Sequence, residues 1–199
     1  ANYYAVPAYE KTARNGTWHL GPGKRFFEVV QRELPQMRIV AEDLGAVNQR
    51  VRKLMAYCGY PGMKVLTFAF SGDPHNEHLV KYHDRNTVAY TGTHDNNTLL
   101  GWWTHATQQE RNSAILALNI RHDEDILDAI MDRALKSPAD TAIIPMQDIL
   151  RLPESARMNL PGTIGSNWLW RMMPGAASKK LASKLRAMNL AAGRVSGKA

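Results

Sequence analysis

TVAYTGTHDNN, residues Thr87–Asn97, is the stretch that decides the fold class of this chain. Its first half is a short apolar run typical of a buried strand, and its second half is a polar, glycine-containing cluster. AEDLG at Ala41–Gly45 has the same form, because it follows the apolar run Arg38–Ala41. Carboxylates at the C-terminal ends of parallel strands are where α/β barrels build active sites. The two clusters therefore predict an enzyme that handles a polar, uncharged substrate by acid/base chemistry.

The rest of the chain alternates between short apolar runs and amphipathic segments. Two further runs, Met63–Phe70 and Thr141–Pro145, have the length and composition of strands. Helical spacing of apolar residues predicts helices over Lys24–Leu34, Ala46–Tyr57, Gln108–Ile120, Glu124–Leu135, Gln147–Leu152 and Ser178–Asn189. Alternating strands and helices indicate an α/β fold with a parallel sheet. Four strands make half of an eight-stranded barrel, with extra helices between the third and fourth strands.

The composition is that of a soluble globular protein, with 44% hydrophobic and 22% charged residues. No stretch approaches the length of a transmembrane helix, and Ala1–Pro7 lacks the features of a signal peptide. Because the chain does not begin with methionine, we expect it to start inside a longer parent. Cys58 is the only cysteine, which excludes an intramolecular disulfide and indicates a reducing compartment. We predict a cytoplasmic location, with no membrane partner.

The net charge of +7 is concentrated near the C-terminus. From Gly175 onward the chain has six basic residues and no acidic one, namely Lys179, Lys180, Lys184, Arg186, Arg194 and Lys198. A basic tail can bind nucleic acid or an anionic surface. We favour a solvated, partly frayed amphipathic helix over 175–199. Since no RNA-binding signature or zinc module is present, no nucleic-acid partner is predicted.

Each acidic cluster has a catalytic and a structural interpretation. A carboxylate at an apolar strand end can have its pKa raised by burial, as a general acid requires. Alternatively, Asp43 caps a helix that begins near Ala46. The pair His94 and Asp95 supplies hydrogen-bonding groups suited to a sugar, although such a pair is more often structural. Taken alone, the residues leave both alternatives open.

Two further sets of residues are candidates for ligand binding. The residues His75, His78, His83 and Asp84 are close in sequence, but their spacing fits no standard zinc site, so no metal is predicted. The tryptophans in Trp102–Trp103 and Trp168–Trp170 can stack on sugar rings, although core packing is the commoner role.

Six motifs, in order and spacing, resemble the 4-α-glucanotransferases known as amylomaltases or disproportionating enzymes, of the α-amylase clan. The matching stretches are AEDLG at Ala41–Gly45, GYPGMKVLTFAF at Gly59–Phe70, YTGTHDNNTLLGWW at Tyr90–Trp103, PMQDIL at Pro145–Leu150, RMNLPGT at Arg157–Thr163 and NWLWRM at Asn167–Met172. The opening segment Tyr3–Trp18 is also similar to this family. The resemblance implies that residues 1–174 form the later half of a TIM-type (β/α)8 barrel.

The resemblance also assigns roles to individual residues. It implies that Glu42 is the general acid/base of a retaining double displacement, and that Asp95 binds hydroxyls and stabilises the transition state. His94 matches the partner of Asp95 in hydroxyl binding. Phe68 and Asn159 fall where donor subsites are lined, and Asp43 supports the geometry of its neighbour. The implied partners are α-1,4-glucans, and the chemistry requires no cofactor.

One element of the family pattern is missing from the sequence. The family's nucleophile is an aspartate in an Arg-x-Asp context at a strand end, and no such segment precedes Glu42. Arg121–Asp123 has the letters but no preceding strand. We therefore expect the chain to be the C-terminal part of a longer enzyme and to be inactive alone. The alternative is a noncatalytic α-glucan-binding fragment; the sequence does not predict an oligomeric state.

Overall fold

The chain divides into two compact units, Ala1–Met63 and Lys64–Ala199. The computed structural model describes residues 1–45, 47–121 and 126–195. The first unit opens with an antiparallel hairpin of β1 (Asn2–Ala5) and β2 (Thr17–Leu20), in which Asn2 lies opposite Leu20. Two helices follow, α1 (Lys24–Glu33) and α2 (Gln49–Cys58). The sequence analysis identified both helices but not the hairpin.

Helix α2 begins later than the spacing of its apolar residues predicted. Its N-cap is Asn48, whose side-chain oxygen accepts hydrogen bonds from the backbone N–H groups of Arg50 and Val51 at 3.0 and 3.1 Å. The predicted start, Ala46, lies outside the described residues. Because Asn48 caps the helix, the capping role considered for Asp43 is wrong. The helix ends at Cys58, and Gly59 caps it with a left-handed backbone (φ 68°) that suits a residue without a Cβ.

The segment Arg38–Gly45, which we call the Glu42 segment, is not a strand. The strand predicted over Arg38–Ala41 is therefore wrong. Ala41 N donates to the Pro61 carbonyl at 2.9 Å, and the Gly45 carbonyl accepts from Val47 N at 2.8 Å, so the recorded backbone bonds of this stretch do not form a ladder. An apolar run becomes a strand only when a neighbouring backbone pairs with it along its length, which sequence pattern alone does not show.

The chain also forms a sheet with the strand order β3-β4-β5, of which β4, β5 and the second half of β3 belong to the second unit. The strands are β3 (Gly62–Val65), β4 (Thr87–Tyr90) and β5 (Thr141–Ile143), and β4 and β5 are parallel, with Ala89 opposite Ala142. The strand predicted over Met63–Phe70 is half as long, because a 3₁₀ turn over Leu66–Phe68 replaces its second part. The predicted α/β fold with a parallel sheet agrees with this arrangement.

Five helices complete the described part of the second unit. They are α3 (Leu99–His105), α4 (Gln108–Leu118), α5 (Ile126–Leu135), α6 (Met146–Ile149) and α7 (Lys179–Ala191). The start predicted for α5, Glu124, lies outside the described residues, as do two residues of Arg121–Asp123. Helix α3, which carries Trp102 and Trp103, was not predicted. None of the helices in the described ranges is long and apolar enough to cross a bilayer.

The apolar core of the second unit lies between the sheet and helices α3, α4 and α5. Its fully buried members include Leu66, Leu99, Ile126, Ile130 and Met131. A capping box starts α4, where Thr107 and Glu110 each bind the other's backbone N–H. Trp102 packs against this core and against Phe70, with ring centroids 5.5 Å apart. It therefore has the packing role considered for the paired tryptophans.

Ion pairs and backbone contacts attach the basic C-terminal segment to the rest of the second unit. The Lys184 ammonium lies 2.7 Å from the Asp128 carboxylate on α5, and Arg151 contacts the same carboxylate at 2.7 Å. Burial alone would raise the pKa of Asp128, but the hydrogen bonds from Lys184 and Arg151 outweigh it, and the pKa is lowered. The Arg194 guanidinium donates to the carbonyls of Leu135, Ser137, Ala139 and Asp140. Of the six basic residues in the tail, Lys198 lies outside the described residues.

Candidate functional site

Strand β4 ends in a tight polar turn that carries two of the predicted site residues. We call the segment Thr91–Leu99 the carboxylate turn. The Asn96 side-chain oxygen accepts from the Thr93 N–H and hydroxyl at 2.7 and 2.9 Å, and the Asp95 N–H donates to the Thr93 hydroxyl at 3.3 Å. These bonds turn the backbone away from the sheet. As a result, His94 and Asp95 stand at the surface with about half of each side chain exposed.

A buried carboxylate on α6 holds both ends of the carboxylate turn. Asp148 is 2% exposed and accepts from the Thr91 hydroxyl at 2.6 Å and from the Leu99 N–H at 2.7 Å. Burial raises the pKa of Asp148, although the two hydrogen bonds act in the opposite direction. Sequence reasoning missed this residue. The available signal was an acid in PMQDIL, a few residues after the predicted strand Thr141–Pro145.

A glycine on α3 allows the turn to pack closely. The Asn97 side chain occupies the space next to Gly101, where an added Cβ would lie 2.7 Å from Asn97 Cγ and 2.9 Å from its Nδ2. Such distances are shorter than van der Waals contact, so any larger residue would displace the turn. The Asn97 side-chain oxygen is buried and has no hydrogen-bond partner among the residues described.

A second loop, which we call the Asn159 loop (Arg157–Arg171), lies against the carboxylate turn. The Asn159 side-chain N–H donates to Asp95 Oδ1 at 2.7 Å, and its backbone N–H donates to the His94 carbonyl at 3.1 Å. Arg157 donates to the Asp95 carbonyl at 3.0 Å. His94 Nε2 is 3.3 Å from Asp95 Oδ1. The structure thus brings together the predicted residues His94, Asp95 and Asn159, and it adds Arg157.

The Asn159 loop is closed at its base by its own polar groups. The Asn167 side chain accepts from Leu160 N at 2.9 Å and donates to the Thr163 carbonyl at 3.1 Å. Trp168 N donates to the Met158 carbonyl at 2.7 Å. The Trp168 ring then lies against the His94 ring, with centroids 5.1 Å apart. Sequence reasoning left Trp168 open between sugar stacking and core packing; with 53% of its surface exposed, it is not a core residue.

Phe68, another predicted site residue, lies near the carboxylate turn. It ends the 3₁₀ turn after β3, is 41% exposed and packs edge-on against His78, with centroids 5.4 Å apart. Phe68 lines an open cavity of about 350 Å³ together with Asn96, Asn97 and Trp102. A smaller cavity of about 170 Å³ lies on the side of His94 and Arg157. The carboxylate turn therefore lines two cavities, and Asn96 and Asn97 contribute to both.

Glu42 and Asp43 belong to the first unit. Asp43 Oδ1 accepts from the Met63 N–H at 2.7 Å, and an added Cβ at Gly62 would lie 2.9 Å from Asp43 Cγ. Asp43 thus ties the Glu42 segment to the start of β3. Glu42 itself is exposed, so it lacks the burial expected of an acid at a strand end.

The histidines considered as metal ligands have other contacts. The His78 ring nitrogen Nδ1 accepts from Val65 N at 3.2 Å, and His83 Nε2 lies 3.0 Å from the His78 carbonyl. Burial lowers the pKa of His83. Within residues 1–45, 47–121 and 126–195, no group of three or more His, Cys, Asp or Glu side chains is placed to hold a metal ion.

Comparison with known proteins assigns the chain to a family. The sequence profile described as 4-alpha-glucanotransferase matches residues 1–177, most of the chain. The chain belongs to the 4-alpha-glucanotransferase family. It is 46% identical over 172 residues to the chloroplastic/amyloplastic enzyme of Arabidopsis thaliana, covering 86% of this chain and 30% of that protein. It is 41% identical over 194 residues to the 4-alpha-glucanotransferase of Thermus thermophilus, covering 94% and 39%.

Solved structures give the same result for the fold. The amylomaltase from Streptococcus agalactiae, determined in complex with acarbose, matches with a TM-score of 0.92 and 30% sequence identity. The match covers 98% of this chain and 40% of that one. The resemblance found in the sequence motifs is therefore confirmed at the level of the family. The chain spans between 30% and 40% of the length of these three relatives.

Proposed function

We propose that this chain is the part of a 4-α-glucanotransferase that binds an α-1,4-glucan through the carboxylate turn and supplies the acid/base Glu42. Family membership supports the reaction class. The observation that carries the proposal is the contact of Asn159 with the Asp95 carboxylate at 2.7 Å, next to His94, on an exposed turn after a parallel strand. The match to an amylomaltase in complex with acarbose supports a glucan-like ligand.

The groups of this site suit a neutral polyhydroxyl ligand. An ionised carboxylate only accepts hydrogen bonds, so Asp95 binds sugar hydroxyl groups that donate. The Asn159 amide and the His94 ring offer donors and acceptors on either side of it. Asn159 also holds Asp95 Oδ1 in place before any sugar binds. A carboxylate positioned in this way stabilises positive charge as it develops on a sugar ring.

In the proposed reaction, Glu42 protonates the leaving glucan oxygen and later deprotonates the acceptor hydroxyl. This is the acid/base role in a retaining double displacement, which also requires a carboxylate nucleophile. The 199 residues hold no Arg-x-Asp segment at the end of a strand before Glu42. We therefore propose that the chain alone does not transfer glucan. We also propose that residues 1–174 are the later half of a (β/α)8 barrel, that 175–199 form a basic tail, and that the protein is cytoplasmic.

Binding and turnover by the 199-residue chain test these proposals separately. Calorimetric titration with maltotriose is expected to show binding, and Asp95→Asn or Asn159→Ala should weaken it about tenfold, because each removes a hydrogen bond to or beside a charged group. The matched control is Asp132→Asn, which changes a half-buried carboxylate on α5 that is paired with Lys136. It should leave binding unchanged.

Two results would contradict the proposal. Absence of maltotriose binding at millimolar concentration would exclude the carboxylate turn as a glucan site in this chain. Release of glucose from maltotriose at about 1 s⁻¹ or faster, a rate typical of enzymes, would show that the chain holds a complete catalytic set. Binding without turnover agrees with the proposal.

A further inference from the structure

Trp168 has a backbone conformation that is unusual for its residue type. Its φ is 65°, and among the described residues only Asn119 and Arg151 are other non-glycine residues with positive φ. Asparagine enters this left-handed region readily because its short polar side chain can bind locally, whereas a bulky residue there is an outlier. Strain of this kind persists only where the surrounding structure imposes it, and it is concentrated at functional sites.

Hydrogen bonds on both sides of Trp168 impose this conformation. Its N–H donates to the Met158 carbonyl at 2.7 Å, and its carbonyl accepts from the Arg171 guanidinium at 3.0 Å. Arg171 also binds the Trp170 carbonyl at 2.8 Å. On the N-terminal side, the Asn167 side chain closes the loop onto Leu160. The backbone at Trp168 is thus held from both directions, whatever its side chain.

The strained backbone directs the indole onto His94. The two ring centroids are 5.1 Å apart with an angle of 38° between the planes, and His94 Nε2 is 3.3 Å from Asp95 Oδ1. The imidazole is therefore held between an aromatic face and a carboxylate. Burial does not explain the position of the indole, because 53% of Trp168 is exposed.

We propose that Trp168 is a positioning residue whose indole orients the His94 imidazole for glucan binding. The inference rests on the proposed function and adds a residue with no assigned role. A half-exposed histidine on a turn rotates about its side-chain bonds unless neighbours restrict it. The indole restricts one face of the ring, while half of the His94 side chain remains exposed to a ligand. The hydrogen bonds that hold the left-handed backbone at Trp168 thereby fix the indole against that ring.

Replacement by glycine separates positioning from stability. Trp168→Gly removes the indole and also allows the left-handed backbone, so the unfolding midpoint should be unchanged or higher, while maltotriose binding weakens about tenfold. Trp168→Phe retains an aromatic ring and should bind within about threefold of the parent. The matched control is Asn119→Gly, which relaxes a left-handed residue at the end of α4 and should leave binding unchanged.

Nuclear magnetic resonance of the His94 Cε1–H provides a readout that needs no ligand. The indole ring current shifts this proton, so the resonance should move towards the position of an exposed histidine in Trp168→Gly and in Trp168→Leu. In Asn119→Gly it should stay where it is. If the glycine variant does not fold, Trp168→Leu provides the same comparison with the bulk of the side chain retained.

The inference is wrong if the His94 resonance is the same in the parent and in the glycine or leucine variant. It is also wrong if these variants bind maltotriose as the parent does. If the parent chain itself does not bind maltotriose, the proposed function fails, while the His94 resonance still decides whether the indole positions the imidazole. The two failures are therefore distinguishable.

Discussion

The carboxylate turn and the Glu42 segment have the same sequence pattern but different structures. In both, an apolar run precedes a carboxylate, and both match motifs of the family. The carboxylate turn follows a paired strand, rests on Asp148 and touches Asn159. The Glu42 segment is not a strand, and Asp43 ties it to Met63 N. The comparison teaches that an acidic cluster acquires defined geometry from the neighbours of its strand, not from its own residues.

The comparison predicts that removing the carboxylate beneath the turn has the largest effect. Asp148→Ala leaves the Thr91 hydroxyl and the Leu99 N–H buried without an acceptor, and should lower the free energy of unfolding by about 3 kcal/mol. Asp43→Ala, the matching change in the Glu42 segment, removes one hydrogen bond and should cost about 1 kcal/mol. Urea denaturation monitored by circular dichroism measures both. Equal losses would contradict the stated difference between the two regions.

A smaller effect is expected where the turn packs on α3. Gly101→Ala places a Cβ 2.7 Å from Asn97 Cγ, and overpacking of this kind costs about 2 kcal/mol. The gain of about 1 kcal/mol from replacing a helical glycine opposes it, so the net loss should be about 1 kcal/mol. Differential scanning calorimetry should show a lower midpoint. A higher midpoint would mean that Asn97 moves without cost and that the turn is less constrained than proposed.

The smallest expected effect is a difference in pH dependence between two carboxylates of the second unit. The pKa of Asp148 is raised in the folded state, so its protonated form is favoured there and stability is lost as pH rises from about 4 through the raised value. The pKa of Asp128 is lowered, so its contribution is present above about pH 4 and is lost as pH falls below it.

Asparagine variants make the two contributions visible. The stability difference between the parent and Asp148→Asn should shift against the parent as pH rises above about 4, because only the parent ionises there. The difference between the parent and Asp128→Asn should vanish as pH falls below about 4. Urea denaturation between pH 3 and 7 tests both slopes. Slopes of the same sign would contradict the assignment of one carboxylate to burial and the other to ion pairing.

Sequence pattern predicted much of the second unit. The strands β4 and β5 lie within their predicted ranges, since each is a short apolar run bounded by polar residues. Amphipathic segments such as α1 and α7 were also found, because their apolar residues recur with helical spacing. The hairpin of β1 and β2 was missed. Both its strands are largely exposed, so neither shows the apolar pattern of a buried strand.

Individual residues of the site were predictable only where a motif named them. The motifs singled out His94, Asp95 and Asn159, and the structure brings these three into contact. The supporting residues Asp148 and Trp168 lie in quoted motifs as well, but the sequence assigned no role to Asp148 and left Trp168 open between sugar stacking and core packing. Their roles depend on contacts with partners 49 or more positions away, which no local pattern records.

The sequence by itself determined the family, the α/β character and the chemical groups available for binding a glucan. These follow from local composition, spacing and the order of motifs, all of which are properties of the chain before it folds. Only the tertiary structure decided that Asp148, Asn159 and Trp168 contact the carboxylate turn. It also decided that Asp43 ties the Glu42 segment to Met63 N. The physical reason is that positioning requires hydrogen bonds and packing between segments distant in sequence, and these exist only in the folded chain.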